Sequence, residues 1–187
     1  KNINHCHREK KTMFILITGG SGSGKSEFAE AQILRLSREK RIYLATMKCF
    51  DEESKKRIAR HRKMRAEKQF ETVEWYLNLK KADIPEGSSV LLECMSNLVA
   101  NEMYDPEGAQ EKTAEQILQG ILHLKSRAKN LCVVTNEVFS DGKQYDADTM
   151  RYLSYLGKIN CEMAKMADEV YEVVYGIPLQ RKWGQET

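Results

Sequence analysis

The sequence lacks the features that mark several specialised classes of protein. It holds only 3 prolines in 187 residues, and 41% of its residues are hydrophobic, which excludes a disordered or collagen-like chain. The apolar run at 13–17 is far shorter than the ~18 residues of a membrane span, and no secretory signal pattern precedes it. We therefore expect one globular domain without a membrane span.

Paired cysteines are also missing. The five cysteines form an odd set, and no two of them have CxxC spacing. Cys94 and Cys132 lie in apolar, strand-like runs, where cysteine behaves as a small hydrophobic residue. This usage excludes a disulfide scaffold or a structural zinc site and predicts a reduced, cytoplasmic protein.

Most of the chain has no excess of positive charge. Lysine and arginine total 30 against 27 acidic residues, and residues 1–12 hold four basic residues and one acidic residue. Residues 13–187 therefore balance at 26 and 26, which argues against nucleic-acid binding through phosphate neutralisation. We interpret residues 1–12 as a flexible extension and residues 13–187 as a single domain.

Strand-like and helix-like segments alternate along the chain. This order predicts an α/β fold with a mostly parallel sheet covered by helices on both faces, and ligands at the carboxyl ends of the strands. A closing hairpin at 169–182 would add one antiparallel strand. The predicted strands are 13–18, 41–46, 70–75, 89–93 and 130–135, and the predicted helices are 26–38, 51–68, 96–103, 113–128 and 146–166.

The segment GGSGSGKS fits the phosphate-binding pattern G-x-x-x-x-G-K-[ST] and lies between a predicted strand and a predicted helix. Its backbone amides and the helix N-terminus would bind the phosphates of a nucleotide, as in P-loop NTPases. Lys25 would reach the β- and γ-phosphates as a catalytic residue, and the Ser26 hydroxyl would ligate Mg²⁺. The predicted nucleotide-binding residues here are Gly19, Gly20, Ser21, Gly22, Ser23, Gly24, Lys25 and Ser26.

A second Mg²⁺ ligand is expected at the end of a neighbouring apolar strand. Glu93 closes one such run, and Glu137 follows another. Either residue could equally be a solvated carboxylate, and of the two we favour Glu93.

The predicted helix 51–68 is strongly basic, which usually indicates only a solvated face. Arg57, His61 and Arg65 are spaced four residues apart, however, and would share one face of that helix. Neighbouring guanidinium groups disfavour a charged imidazole, and neutral imidazole can attack phosphorus. We therefore consider His61 a candidate nucleophile, whereas His123, between two leucines, is expected to be structural or on the surface.

Six segments taken together resemble one family, the bifunctional adenosylcobinamide kinase / adenosylcobinamide-phosphate guanylyltransferases of cobalamin biosynthesis. The resemblance extends from residue 13 to about residue 182. The segments are ITGGSGSGKS at 17–26, YLAT at 43–46, RIARHRKMR at 57–65, LLEC at 91–94, VTNEV at 134–138 and ADEVYEVVYGIP at 167–178.

The resemblance implies two reactions on a corinoid substrate. A nucleoside triphosphate, ATP or GTP, phosphorylates adenosylcobinamide; GTP then guanylylates a histidine, which falls on His61, and the GMP passes to the new phosphate. It also implies a homotrimer. Beyond the phosphate loop, the implied nucleotide contacts are Ala45, Thr46, Met47, Arg62, Lys63, Met64, Arg65, Glu74 and Glu93.

The chain departs from the family pattern at four places, and two other functions stay open. Gly22 and Ser23 stand where the family commonly has an arginine, and Asn160-Cys161 replaces an N-Q pair. After His61 only the end charges of the family segment, Arg62 and Arg65, are kept, and residues 139–144 replace a glycine-rich family segment. One alternative is a P-loop kinase of another small metabolite in which His61 is a surface residue. The other is a nucleotide-dependent switch or ATPase that has no small-molecule acceptor.

Overall fold

The computed structural model describes residues 12–38, 40–49, 52–137 and 145–184. The strands are β1 (Met13–Thr18), β2 (Arg41–Ala45), β3 (Phe70–Glu74), β4 (Ser89–Glu93), β5 (Asn130–Val134), β6 (Glu169–Val174) and β7 (Ile177–Lys182). The helices are α1 (Lys25–Leu36), α2 (Glu52–Glu67), α3 (Met95–Tyr104), α4 (Thr113–Arg127) and α5 (Ala147–Met166). Residues 1–11 are outside the described ranges, so the N-terminal extension stays a prediction.

The strands form one sheet in the order β3-β2-β4-β5-β1-β6-β7. Strands β1 to β6 pair in parallel, and β7 pairs antiparallel with β6. The predicted α/β architecture with an antiparallel C-terminal hairpin is therefore confirmed. Because the six parallel strands end at the same edge, the segments after β1, β2, β4 and β5 meet there.

Side chains of the central strands alternate between two hydrophobic clusters, one on each face of the sheet. Phe14 and Leu16 of β1 are in the cluster that includes α3, α4 and α5, whereas Ile15 and Ile17 pack with Ile33 of α1. A shift of register by one residue would exchange the two sets, so burial on both faces specifies the pairing. The phosphate loop is consequently connected to a strand and a helix that are both anchored in the core.

The ends of several elements differ slightly from the predicted ones. Helix α1 ends at Leu36, because Ser37 adopts an extended conformation and donates its amide to the carbonyl of Ile33. Strand β2 ends at Ala45 rather than at residue 46. Two short 3₁₀ helices, Leu79–Lys81 and Gln110–Lys112, were not expected from the sequence, because three-residue segments carry too little periodicity to be recognised.

None of the four described cysteines is part of a disulfide. Burial raises the pKa of the Cys132 thiol well above its usual range. Across the described ranges, no helix is both long enough and apolar enough to cross a bilayer. In the same part of the chain, no group of three or more His, Cys, Asp or Glu side chains is arranged to hold a metal ion.

Candidate active site

The phosphate-binding segment forms a tight turn between β1 and α1. Gly19 lies where a Cβ would come within 2.6 Å of both the Val173 carbonyl and the Ser23 hydroxyl, so only glycine fits. Gly24 caps α1 with φ of 88°, a left-handed conformation that favours glycine. The Ser23 Oγ is buried and has no hydrogen-bond partner among the described residues. These features agree with a loop whose backbone encloses an anion.

Lys25 and Ser26 both face the carboxyl edge of the sheet. Lys25 is only 9% exposed, and its Nζ donates a hydrogen bond to the Gly20 carbonyl at 2.8 Å. Ser26 Oγ donates to the Glu93 carboxylate at the end of β4, although the two residues are 67 positions apart. The two predicted Mg²⁺ ligands are therefore in direct contact.

A cavity of about 570 Å³ opens beside this pair. It lies at the carboxyl ends of β2 and β4, with α2 on its other side. The phosphate loop, α2 and four strand ends all contribute to its wall. Its lining residues are Ser21, Lys25, Ser26, Tyr43, Ala45, Met47, Ile58, Arg65, Thr72, Glu74, Glu93, Cys94, Ser96, Asn97 and Asn136.

Arg65 brings a buried cation into the cavity wall. It is only 6% exposed, and its guanidinium carbon lies 3.6 Å from the centre of the Tyr43 ring. Its Nε has no hydrogen-bond partner within the described ranges. Burial, and secondarily the Glu93 charge, raises the pKa of Tyr43 far above its usual range, so this ring stays neutral beneath the guanidinium. A buried guanidinium with a free N–H is suited to binding phosphate oxygens.

Two other predicted contacts form an ion pair at the rim of the cavity. Arg62 Nη2 lies 3.1 Å from Glu74 Oε1, and both side chains are well exposed. The Tyr76 hydroxyl donates to the other Glu74 oxygen at 2.9 Å. Burial, together with that hydrogen bond, raises the pKa of Tyr76 to about 12. Lys63 is exposed on the same helix.

His61 lies in the middle of α2, four residues before Arg65. One helical turn separates the two positions, as the spacing predicted. The side chains of His61 and Met64 are outside the described set, so their predicted contacts stay predictions.

Residues 45–47, at the end of β2 and directly after it, contribute in two different ways. Ala45 and Met47 line the cavity. Thr46, in contrast, is fully buried: its amide donates to the Glu93 carbonyl at 3.1 Å and its hydroxyl to the Cys94 carbonyl at 2.8 Å. Thr46 thus holds the ends of β2 and β4 together, which fixes the position of Glu93.

The sequence interpretation missed the polar wall that follows β4 and β5. Asn136 Nδ2 donates to Ser96 Oγ at 2.7 Å, and Cys94 Sγ lies 3.0 Å from the same hydroxyl. Burial raises the pKa of the Cys94 thiol, so it is a poor nucleophile. Asn97, at the start of α3, completes this wall. These residues follow directly after two parallel strands, and that position could have identified them from the sequence as part of the site.

Two candidates from the sequence remain, Glu137 and His123, and each makes a hydrogen bond to a backbone carbonyl. The Glu137 amide donates to the Gly19 carbonyl at 3.2 Å, whereas Glu93 is the carboxylate that contacts Ser26. His123 is half-buried on α4, with Nε2 3.0 Å from the Ala82 carbonyl. Its contact agrees with the structural role expected for it.

Comparison with known proteins gives a consistent result. The cobinamide kinase / cobinamide phosphate guanyltransferase family matches over residues 15–181. The chain is 34% identical over 184 residues to the bifunctional adenosylcobalamin biosynthesis protein CobU of Escherichia coli and 32% identical to that of Salmonella typhimurium. Each alignment covers 91% of this chain and 100% of the relative. Among solved structures, an ATPase domain aligns with a TM-score of 0.47 and 14% identity over 87% of this chain and 69% of that chain. The chain belongs to the cobinamide kinase / cobinamide phosphate guanyltransferase family.

Proposed function

We propose that this protein phosphorylates adenosylcobinamide with a nucleoside triphosphate and then transfers GMP from GTP to the new phosphate, giving adenosylcobinamide-GDP. One observation carries the proposal: Lys25 and Ser26 of the phosphate loop share a cavity with Arg65, on the helix that holds His61. Family membership supports the pair of reactions.

In the phosphoryl transfer, the loop amides and Lys25 would bind the β- and γ-phosphates of the donor. Ser26 and Glu93 offer the hydroxyl and carboxylate oxygens that suit Mg²⁺, and their direct contact fits a shared ion. Mg²⁺ bound there would neutralise charge on the β- and γ-phosphates. Ser96, Asn97 and Asn136 would orient the acceptor hydroxyl from the opposite wall.

In the guanylyl transfer, the neutral imidazole of His61 would attack the α-phosphorus of GTP. An N–P bond forms while the P–O bond to pyrophosphate breaks. An oxygen of adenosylcobinamide phosphate then attacks the same phosphorus, and the N–P bond breaks, which releases His61. Arg65, one turn further along α2, would stabilise the charge that develops on the α-phosphate oxygens.

Arg65→Ala is expected to slow conversion of adenosylcobinamide phosphate to its GDP form by about 10²–10³-fold, the usual cost of removing one charge-stabilising donor. Arg65→Lys keeps the charge but not the planar donor set, and should recover only part of the rate. Single-turnover kinetics of GMP transfer measure both.

Two controls separate catalysis from packing in this series. Lys56→Ala removes an exposed cation from the same helix and should leave the rate near that of the wild type. Melting temperatures show whether the loss of the Arg65–Tyr43 contact unfolds the domain. A full rate of transfer in folded Arg65→Ala would contradict the assigned role.

Glu93→Gln is expected to raise the Mg²⁺ concentration needed for half-maximal phosphoryl transfer by about tenfold or more, because an amide cannot replace the carboxylate charge at the ion. Nucleotide binding in the absence of Mg²⁺ should change much less. Titration of turnover with Mg²⁺ measures the first effect and calorimetry the second. The same substitution at Glu137 is the control, and equal losses with and without Mg²⁺ would count against a metal ligand at Glu93.

Product analysis tests the proposed function as a whole. Adenosylcobinamide incubated with MgATP and MgGTP should yield its phosphate first and its GDP form second, as followed by chromatography and mass spectrometry. Phosphate alone would favour the plain kinase. Nucleotide hydrolysis without any corinoid product would favour the switch or ATPase.

We also propose a homotrimer in the cytosol. The sheet edge strand β7 and the residue after it expose the apolar side chains Ile177, Leu179 and Trp183. An edge strand with exposed apolar side chains is a common site of association between chains. None of the four described cysteines forms a disulfide, which fits a reducing compartment.

A further inference from the structure

The turn between β6 and β7 touches the phosphate loop. The Gly176 amide donates a hydrogen bond to the Ser23 carbonyl at 2.8 Å. A Cβ added to Gly24 would lie 3.2 Å from the Gly176 Cα, so the two backbones are nearly in contact. Tyr175, the other residue of this turn, therefore lies at the border of the phosphate site.

Neither the turn nor the core explains a tyrosine at this position. Its φ is 51°, and the next residue, Gly176, has φ of 77°. A two-residue hairpin turn with two positive φ values is typically made by asparagine and glycine. The Tyr175 side chain is 94% exposed, so it gains almost nothing from burial. An exposed ring in a costly conformation beside a binding loop suggests a ligand contact.

The sheet order indicates which end of a bound nucleotide would meet this ring. Strand β1 lies between β5 and β6; β4 and the cavity are on the β5 side, and the Tyr175 turn is on the β6 side. Ser26, Lys25 and Glu93 converge on the cavity side, where the proposed function places the γ-phosphate. A triphosphate lying across the loop would then direct its nucleoside toward the β6–β7 turn.

We propose that Tyr175 stacks on the purine base of the nucleoside triphosphate that donates the phosphoryl group. The inference rests on the proposed function, because it takes the position of the γ-phosphate from it. Stacking uses the face of the ring and discriminates little between bases. The contact would therefore bind adenine and guanine alike.

The test compares a nucleotide with a probe that has the phosphates but no base. Tyr175→Ala is expected to weaken MgATP binding about tenfold in calorimetry, whereas Mg²⁺-tripolyphosphate should bind within about twofold of its affinity for the wild type. Tyr175→Phe keeps the ring face and should retain MgATP binding. In turnover the alanine variant should raise the KM for ATP and leave kcat nearly unchanged.

Leu122→Ala is the control, because it removes an exposed apolar side chain from α4, outside both the hairpin and the proposed association surface. It should bind MgATP like the wild type. An equal loss of MgATP and tripolyphosphate in Tyr175→Ala would overturn the stacking and indicate a distorted loop, and unchanged MgATP binding would overturn it as well. A wild type that binds neither probe would contradict the phosphate-loop assignment itself, and the stacking with it.

Discussion

His61→Ala is expected to reduce GMP transfer by roughly a thousandfold or more, because the substitution removes the attacking nitrogen. Phosphorylation of adenosylcobinamide should continue near the wild-type rate, since phosphoryl transfer depends on the loop, Lys25 and the metal rather than on an imidazole. Separate assays of the two products, with adenosylcobinamide and with its phosphate as starting material, measure this split directly.

The controls for His61 separate the nucleophile from its surroundings. His61→Asn keeps a polar side chain on α2 but has no attacking nitrogen, and should fail like the alanine variant. His123→Ala removes a histidine of α4 that lies outside the cavity lining, and it should leave GMP transfer intact. In the wild type, the rate should fall at acidic pH, because protonation removes the attacking lone pair. Undiminished GMP transfer in His61→Ala would rule out the proposed intermediate.

Lys25→Ala should reduce phosphoryl transfer by at least about 10²–10³-fold, because it removes the cation expected at the β- and γ-phosphates. The fold should survive, since Lys25 faces the cavity rather than the apolar core. Steady-state kinetics with MgATP and a thermal melt check the two statements. Lys158→Ala, an exposed lysine of α5, is the matched control. An unfolded variant, or one with full activity, would show that the loop has been misassigned.

The elements were predictable from the sequence because their patterns are local. The apolar run of β1, the glycine-rich loop and the amphipathic α4 each follow a short-range rule. The order of the strands is not local, because it depends on which buried faces pair across the whole chain. The proximity of Ser26 and Glu93 could still be predicted, because parallel strands end at the same edge of the sheet.

Other parts of the site depended on packing that no motif encodes. The position of Arg65 over Tyr43 depends on how closely α2 packs against β2, which the sequence pattern does not specify. The hydrogen bond from Asn136 to Ser96 joins segments 40 residues apart, and neither segment has a recognisable spacing. Thr46 stays a predicted nucleotide contact, and the hydrogen bond from its hydroxyl to the carbonyl of the residue after β4 could not be read from the sequence.

The central claim is that GMP is carried on His61. The most direct test is to incubate the protein with GTP labelled on its α-phosphate and to find which residue becomes labelled. The protein should acquire an acid-labile, base-stable adduct on the peptide that contains His61, and adenosylcobinamide phosphate should discharge it with formation of labelled product. Label on a lysine or on His123, or labelled product formed without any protein adduct, would contradict the account.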